Sequence, residues 1–208
     1  MSRQGGKTNR IVNHAVFKNG NNGEIKMKNA GKVFEQAIRA SVPNYCLYYR
    51  LPDSPSSFGQ DSSKVRFTLH TPFDAMMFDS KERILYALEL KSTKSKSMSF
   101  EDINIKGKQP SKMIHKHQIL GLLDFAKYDY VEAGFLFNFR DEDNGVERTY
   151  YQAIDDFIVM CEEIGKKSFN EKDLMSHDVI EVQGIKKRVN YSWNLPALLE
   201  ETKLKHME

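Results

Sequence analysis

Cysteine is nearly absent from this chain: two residues in 208, Cys46 and Cys161, with no CxxC pair. That leaves no disulfide framework or thiolate metal knuckle to read, and it suits a reducing, cytoplasmic setting with two buried thiols. Long apolar runs are missing too. None approaches the roughly 20 residues that span a bilayer, and the basic N-terminus has no apolar stretch of the kind a secretory signal needs. No membrane partner is therefore expected. Internal repeats are absent. Net charge is only +3, but it is unevenly spread. Up to position 32 the cations Arg3, Lys7, Arg10, Lys18, Lys26, Lys28 and Lys32 face one acid, Glu24, so the remainder is net acidic. A basic, Gly- and Asn-rich leader reads either as a flexible arm for a polyanion or as a solubilising tail. The "GGKT" at 5–8 is not a phosphate loop, because Met1 stands at the upstream glycine position and no strand precedes it.

What is present is enough apolar and aromatic residue for one sizeable core. The spacing predicts a helix from Asn29 to Pro43, capped by Asn29, with Val33, Phe34, Ala37 and Ile38 on one face. A strand follows over 45–51, then a Pro- and Ser-rich loop, then "VRFTLH" leading into a hairpin. Residues 94–110 are polar. A second helix over 111–127 carries Ile114, Gln118, Leu122 and Phe125 on one side. Strands at 132–140 and 146–154 flank the turn "DEDNG", "IDDFIVMCEEIG" reads as a helix, "DVIEVQGIKKRVNYSW" as another hairpin and "LPALLEET" as a terminal helix. The pattern is α+β or mixed-sheet α/β.

The hairpin "TPFDAMMFDSKERILYALELKST" concentrates the chemistry. A turn over "SKER" pairs Asp79 with Ile84, which places Asp74 opposite Glu89 and Pro72 opposite Lys91. Directly opposite side chains share a face, as do residues two apart on a strand. Asp74, Glu89 and Lys91 are thus expected together, with Phe73, Ala75, Met77, Leu88 and Leu90 on the other face. Two carboxylates so close repel unless a cation lies between them. Their oxygens suit a hard ion such as Mg²⁺, and the lysine adds a charge fit for phosphoryl chemistry. The plain alternative is a solvated strand pair with a Glu–Lys contact.

Other candidates are weaker. His115 and His117, two apart on an expected helix, should not face each other. Gln118, on the apolar side, needs a hydrogen-bond partner, which a metal or its water supplies as well as an ordinary core contact does. Glu35, beside Phe34, either points at the hairpin or lies on a solvated helix face. Phe135, Phe137 and Phe139 alternate on a strand and read as core.

Taken together these residues resemble a RecU-type Holliday junction resolvase of the PD-(D/E)xK nuclease superfamily. The motifs are "GKVFE" ending at Glu35, Asp74 after "TPF", "ELKST" with Glu89 and Lys91, Ser99-Phe100, "HKHQI" at 115–119 and "GFLFNFR" from Gly134 to Arg140. They span about residues 30–155. The resemblance implies a restriction-endonuclease-like α/β core, a mixed sheet flanked by helices, in a homodimer that nicks four-way DNA junctions with Mg²⁺, or Mn²⁺ in its place. It maps metal ligands onto Asp74, Glu89 and Gln118 and the charge-stabilising lysine onto Lys91, with Glu35 as a catalytic helper. The family often has a threonine two residues before the aspartate. Here that position is Pro72, with Thr71 one further back. The stalk that enters the junction corresponds to residues 52–70, a short segment.

The expected organisation is a basic arm over 1–28 and one nuclease domain over 29–208. Lys64, Arg66, Lys94, Lys96 and the arm residues Arg3, Lys7 and Arg10 are the expected phosphate contacts. Tyr150 and Tyr151 mark an expected aromatic dimer face. A nuclease acting on linear duplex and a non-catalytic DNA-binding protein remain the alternative readings.

Overall fold

The computed structural model of the chain describes residues 29–52, 71–188 and 190–205. The expected contacts Arg3, Lys7, Arg10, Lys64 and Arg66, the "VRFTLH" strand and nearly all of the stalk segment lie outside these residues.

Helix α1 (Ala30–Ser41) starts where the sequence places it. Asn29 accepts the Gly31 N–H at 3.1 Å, satisfying one of the first turn's free donors. Val42 is extended, as a residue before proline should be. Strand β1 (Cys46–Arg50) follows. The hairpin forms β2 (Ala75–Asp79) and β3 (Ile84–Thr93), the latter running on to the short β4 (Ser97–Ser99). Helix α2 (Lys116–Phe125) then crosses over to β5 (Val131–Asp141), which lies parallel to β3, and β6 (Val146–Ala153) returns antiparallel. Next come α3 (Ile154–Glu163), β7 (Ser168–Asn170), α4 (Glu171–Met175), β8 (Ile180–Val182), β9 (Gly184–Lys186), β10 (Tyr191–Trp193) and α5 (Leu195–Lys205).

The result is a mixed six-stranded sheet in the order β1-β2-β3-β5-β6-β8, flanked by helices. One face packs under α2 and α3, where Phe135, Phe137, Phe157 and Phe169 interlock with ring centroids 4.6–6.0 Å apart. Each such ring contributes about 1.5–3 kcal/mol by leaving water. The other face carries Leu88, Leu90, Leu136 and Tyr151 under α1, α5 and Trp193. Among the described residues, no helix is long and apolar enough to cross a membrane.

Four expectations need correction. The second helix begins at Lys116, not 111, because Ile114 is held in a β-bridge to Phe100. Of the terminal "DVIEVQGIKKRVNYSW" segment, β8 joins the main sheet and only β9 and β10 pair as a hairpin. Tyr150 and Tyr151 are 3% and 2% exposed, so they are core of this chain and not a spare dimer surface. The two cysteines are half-buried.

Candidate active site

The β2–β3 turn sets the register. Asp79 accepts the Lys81 N–H at 2.8 Å through its carboxylate and the Arg83 N–H at 2.8 Å through its carbonyl, with Arg83 in the left-handed region. The ladder runs from Asp79↔Ile84 to Ala75↔Leu88, the register expected from the turn. Asp74 is the next residue out. Its N–H goes to Leu88 O at 3.1 Å, its carbonyl accepts from Leu51 N at 2.8 Å, and its Oδ2 accepts from Leu90 N at 2.9 Å. The side chain thus takes over a ladder donor where the strand pairing stops. This break explains Phe73. Simple alternation would put it beside Met77, but the bend at 72–74 turns it to the α2 face, edge-on to Phe125 at 4.7 Å.

Glu89 is 1% exposed. Its Oε1 accepts from Lys91 Nζ at 2.8 Å and from Gln118 Nε2 at 2.5 Å, while Oε2 is buried and, among the described residues, has no hydrogen-bond donor. A carboxylate in that setting is under-compensated. Burial pushes the Glu89 carboxyl up to about 8; Lys91 pulls it down, and Asp74 pushes it up further. Burial also raises Asp74, against the Leu90 N–H and Lys91, which lower it; Glu35 adds repulsion. A buried carboxyl with an orphaned oxygen and a half-buried one beside it, both raised, fit a divalent cation. Asp74 and Glu89 are the residues to hold it.

Gln118 reaches Glu89 from the first turn of α2. Its Oε1 accepts the His115 N–H at 2.9 Å. A backbone N–H can only donate, so the amide nitrogen must be the end that faces Glu89. As arranged, Gln118 holds the carboxylate in place. The same turn is clamped by Glu101, which accepts from Lys116 N at 2.7 Å and contacts His115 Nδ1 at 3.3 Å. Glu101 escaped the sequence reading because it lies 15 residues before Lys116, with no local signature. His115 and His117 do face each other, stacked at 5.5 Å. His115 is the extended N-cap, not a helical residue, so helical spacing does not apply to it.

Gly121 fixes how closely α2 approaches the site. A Cβ there would lie 2.6 Å from Pro72 Cβ and 2.7 Å from the Pro72 carbonyl oxygen, two residues from Asp74.

Glu35 pairs with Arg50 Nε at 2.8 Å. The pair lines a cleft of about 250 Å³ with Lys32, Arg39 and Tyr48. The Tyr48 hydroxyl is pushed up to about 12 by burial, then by Glu35 and Asp74, which puts Glu35 in the same electrostatic neighbourhood as Asp74. Lys94 and Lys96 are exposed in the turn after β3. The structure therefore gathers Asp74, Glu89, Lys91 and Gln118, with Glu35 alongside. Among the described residues, no three His, Cys, Asp or Glu side chains form a metal-binding group; the candidate centre is two carboxylates, and the Gln118 amide, expected as a third ligand, has its oxygen on His115 N–H and its nitrogen toward Glu89.

No family model matches the chain. It is similar to the SPbeta prophage-derived uncharacterized protein YotM of Bacillus subtilis (strain 168). The two are 32% identical over 185 residues, which cover 83% of this chain and 86% of the relative.

Proposed function

The chain belongs to the family of that SPbeta prophage-derived protein, and from its site we propose that it is a metal-dependent endodeoxyribonuclease that resolves four-way DNA junctions. The observation that carries this reading is the closeness of Asp74 and Glu89, with Lys91 2.8 Å from Glu89 and, among the described residues, no donor on Glu89 Oε2. The six-stranded mixed sheet with helices on both faces supports a restriction-endonuclease-like core. The motif order from Glu35 to Arg140 supports the RecU-type resemblance.

In this reading Asp74 and Glu89 hold Mg²⁺, or Mn²⁺. Bound there, the ion supplies Lewis-acid polarisation of the phosphate and a lowered pKa for water. Lys91 carries positive charge beside the scissile phosphate, where negative charge grows as the bond breaks. Gln118 keeps the Glu89 carboxylate from rotating away. Glu35, through Arg50, sets the charge on the α1 side of Asp74. Lys94 and Lys96 contact phosphates and position the DNA without reading its sequence. Two nicks in strands of like polarity call for two copies of this site related by two-fold symmetry, hence a homodimer.

The test is incubation with a synthetic four-way junction and a matched linear duplex, with and without Mg²⁺. Paired nicks in the junction, dependent on the metal, are expected. Discrete fragments from linear duplex would move the reading to a duplex-acting nuclease. DNA binding with no cutting under any metal would move it to a non-catalytic binder.

A further inference from the structure

The β9–β10 hairpin lies outside the stretch that carries the resemblance, and it is built where that stretch ends. The parallel strands β3 and β5 run to the same rim of the sheet. Ser92 pairs with Asn138, one residue beyond Lys91 and Phe137. At this rim Arg140 donates through Nε to Ser92 Oγ at 3.1 Å. Past Asp141 the β5–β6 turn meets the hairpin tip. Lys186 Nζ and the Tyr191 hydroxyl both donate to Gly145 O, at 2.6 and 3.1 Å, and Glu147 N donates to the Tyr191 hydroxyl at 3.2 Å. The base of the hairpin is tied to α1, since Trp193 N donates to Ser41 Oγ at 2.9 Å. The tip is thus anchored to the rim from two sides.

The tip reads Lys186-Lys187-Arg188, all exposed. Three of the acids around it have partners within the protein, while Asp143 in the turn is exposed. Asp141 is held by Asn144 at 2.8 Å, Glu142 by Arg140 at 2.5 Å and Glu147 by Asn138 at 3.2 Å. Among the described residues, Lys187 and Arg188 have no ion pair, and they face a cavity of about 230 Å³ between hairpin and turn. Lys94 and Lys96 stand on the same rim, on the side nearer the Asp74–Glu89 pair. Exposed cations thus stand at two points of this rim, at the end of β3 and at the hairpin tip.

We propose that the β9–β10 tip, through Lys187 and Arg188, is a second binding surface for the phosphate backbone of duplex DNA, holding an arm of the substrate that extends along the rim beyond the cleavage centre. This rests on the nuclease reading and adds to it a contact site that the resemblance does not supply. Both side chains are cationic donors at an exposed tip, and the contact proposed for them is with phosphates, independent of sequence.

The experiment is a salt series of binding isotherms by fluorescence anisotropy. It uses the full chain, a labelled four-way junction and a labelled duplex, with Ca²⁺ in place of Mg²⁺ to suppress cutting. The variant K187A/R188A should make the plot of log affinity against log salt shallower by about 1.8, two contacts at about 0.9 each. K187E/R188E should weaken binding further. The control K81A/K127A, at the far end of the sheet, should leave the slope unchanged. Circular dichroism melts confirm that the hairpin variants fold. A hairpin-variant slope equal to that of the unsubstituted protein overturns the proposal and leaves the nuclease reading standing. Failure of the unsubstituted protein to bind either DNA overturns the nuclease reading and this proposal with it.

Discussion

Glu89→Gln should make the metal-free protein more resistant to alkaline destabilisation, by an amount the site sets. Glu89 is buried, and its carboxyl is pushed from 4.5 to about 8. A raised carboxyl holds its proton more tightly folded than unfolded. The resulting stabilisation is complete below about pH 4.5 and is lost as pH climbs through about 8. At about 1.4 kcal/mol per unit, the full loss is at most roughly 5 kcal/mol, or about 10–20 °C in melting temperature for a chain of this size. The Lys91 partner makes this a ceiling. Glutamine keeps the shape and the contact to Gln118 but cannot ionise, and Lys91 retains Asp74 as an anion nearby. The assay is thermal melting from pH 5 to 9 in EDTA for both proteins. The difference between the two curves should grow in favour of Glu89→Gln from pH 5 to about 8 and level off above that. Added Mg²⁺ should then restore the wild type and not the variant. Parallel pH profiles in EDTA would refute the claim that Glu89 is an under-compensated buried acid.

Further outcomes follow from the same geometry. Asp74→Asn should abolish cleavage while DNA binding survives or tightens, because a negative charge near phosphate has gone; robust cleavage by the wild type in EDTA would sink the metal assignment. Gly121→Ala, which helix propensity alone favours by about 1 kcal/mol, should instead cost about 1–3 kcal/mol through overpacking against Pro72 and lower activity by displacing Asp74. Denaturation and nicking rates of that variant check both halves. Deleting residues 1–28 should weaken DNA binding and reduce its salt dependence, with the core's melting temperature unchanged; an unaltered salt slope would mean the arm does not touch DNA.

Much of the site was legible because it rests on local rules. The "SKER" turn sets the register, strand alternation puts Glu89 and Lys91 on one face, and the helical face of α2 turns Gln118 inward. What escaped depends on tertiary contacts. Phe73 changes face because Asp74 uses its side chain to end the ladder, which alternation cannot anticipate. The helix expected at 111 starts five residues later because Ile114 pairs with Phe100, and only β4, too short to show a period, brings the two together. The Glu101 clamp and the Glu35–Arg50 pair join residues from separate elements. Tyr150 and Tyr151 look like a surplus in sequence because their cover comes from distant residues, Glu171 on one face and Leu136, Ile180 and Val182 on the other.

The most direct test of the central claim is calorimetric titration of the metal-free protein with Mn²⁺ or Mg²⁺, in buffers of different ionisation enthalpy. If Asp74 and Glu89 hold the ion, Glu89 must give up its proton on binding. With its carboxyl at about 8, close to one proton should be released per ion at pH 7 and almost none at pH 9. Asp74→Asn and Glu89→Gln should remove the binding. Metal binding that persists in both variants, or no binding to the unsubstituted protein, would contradict the account.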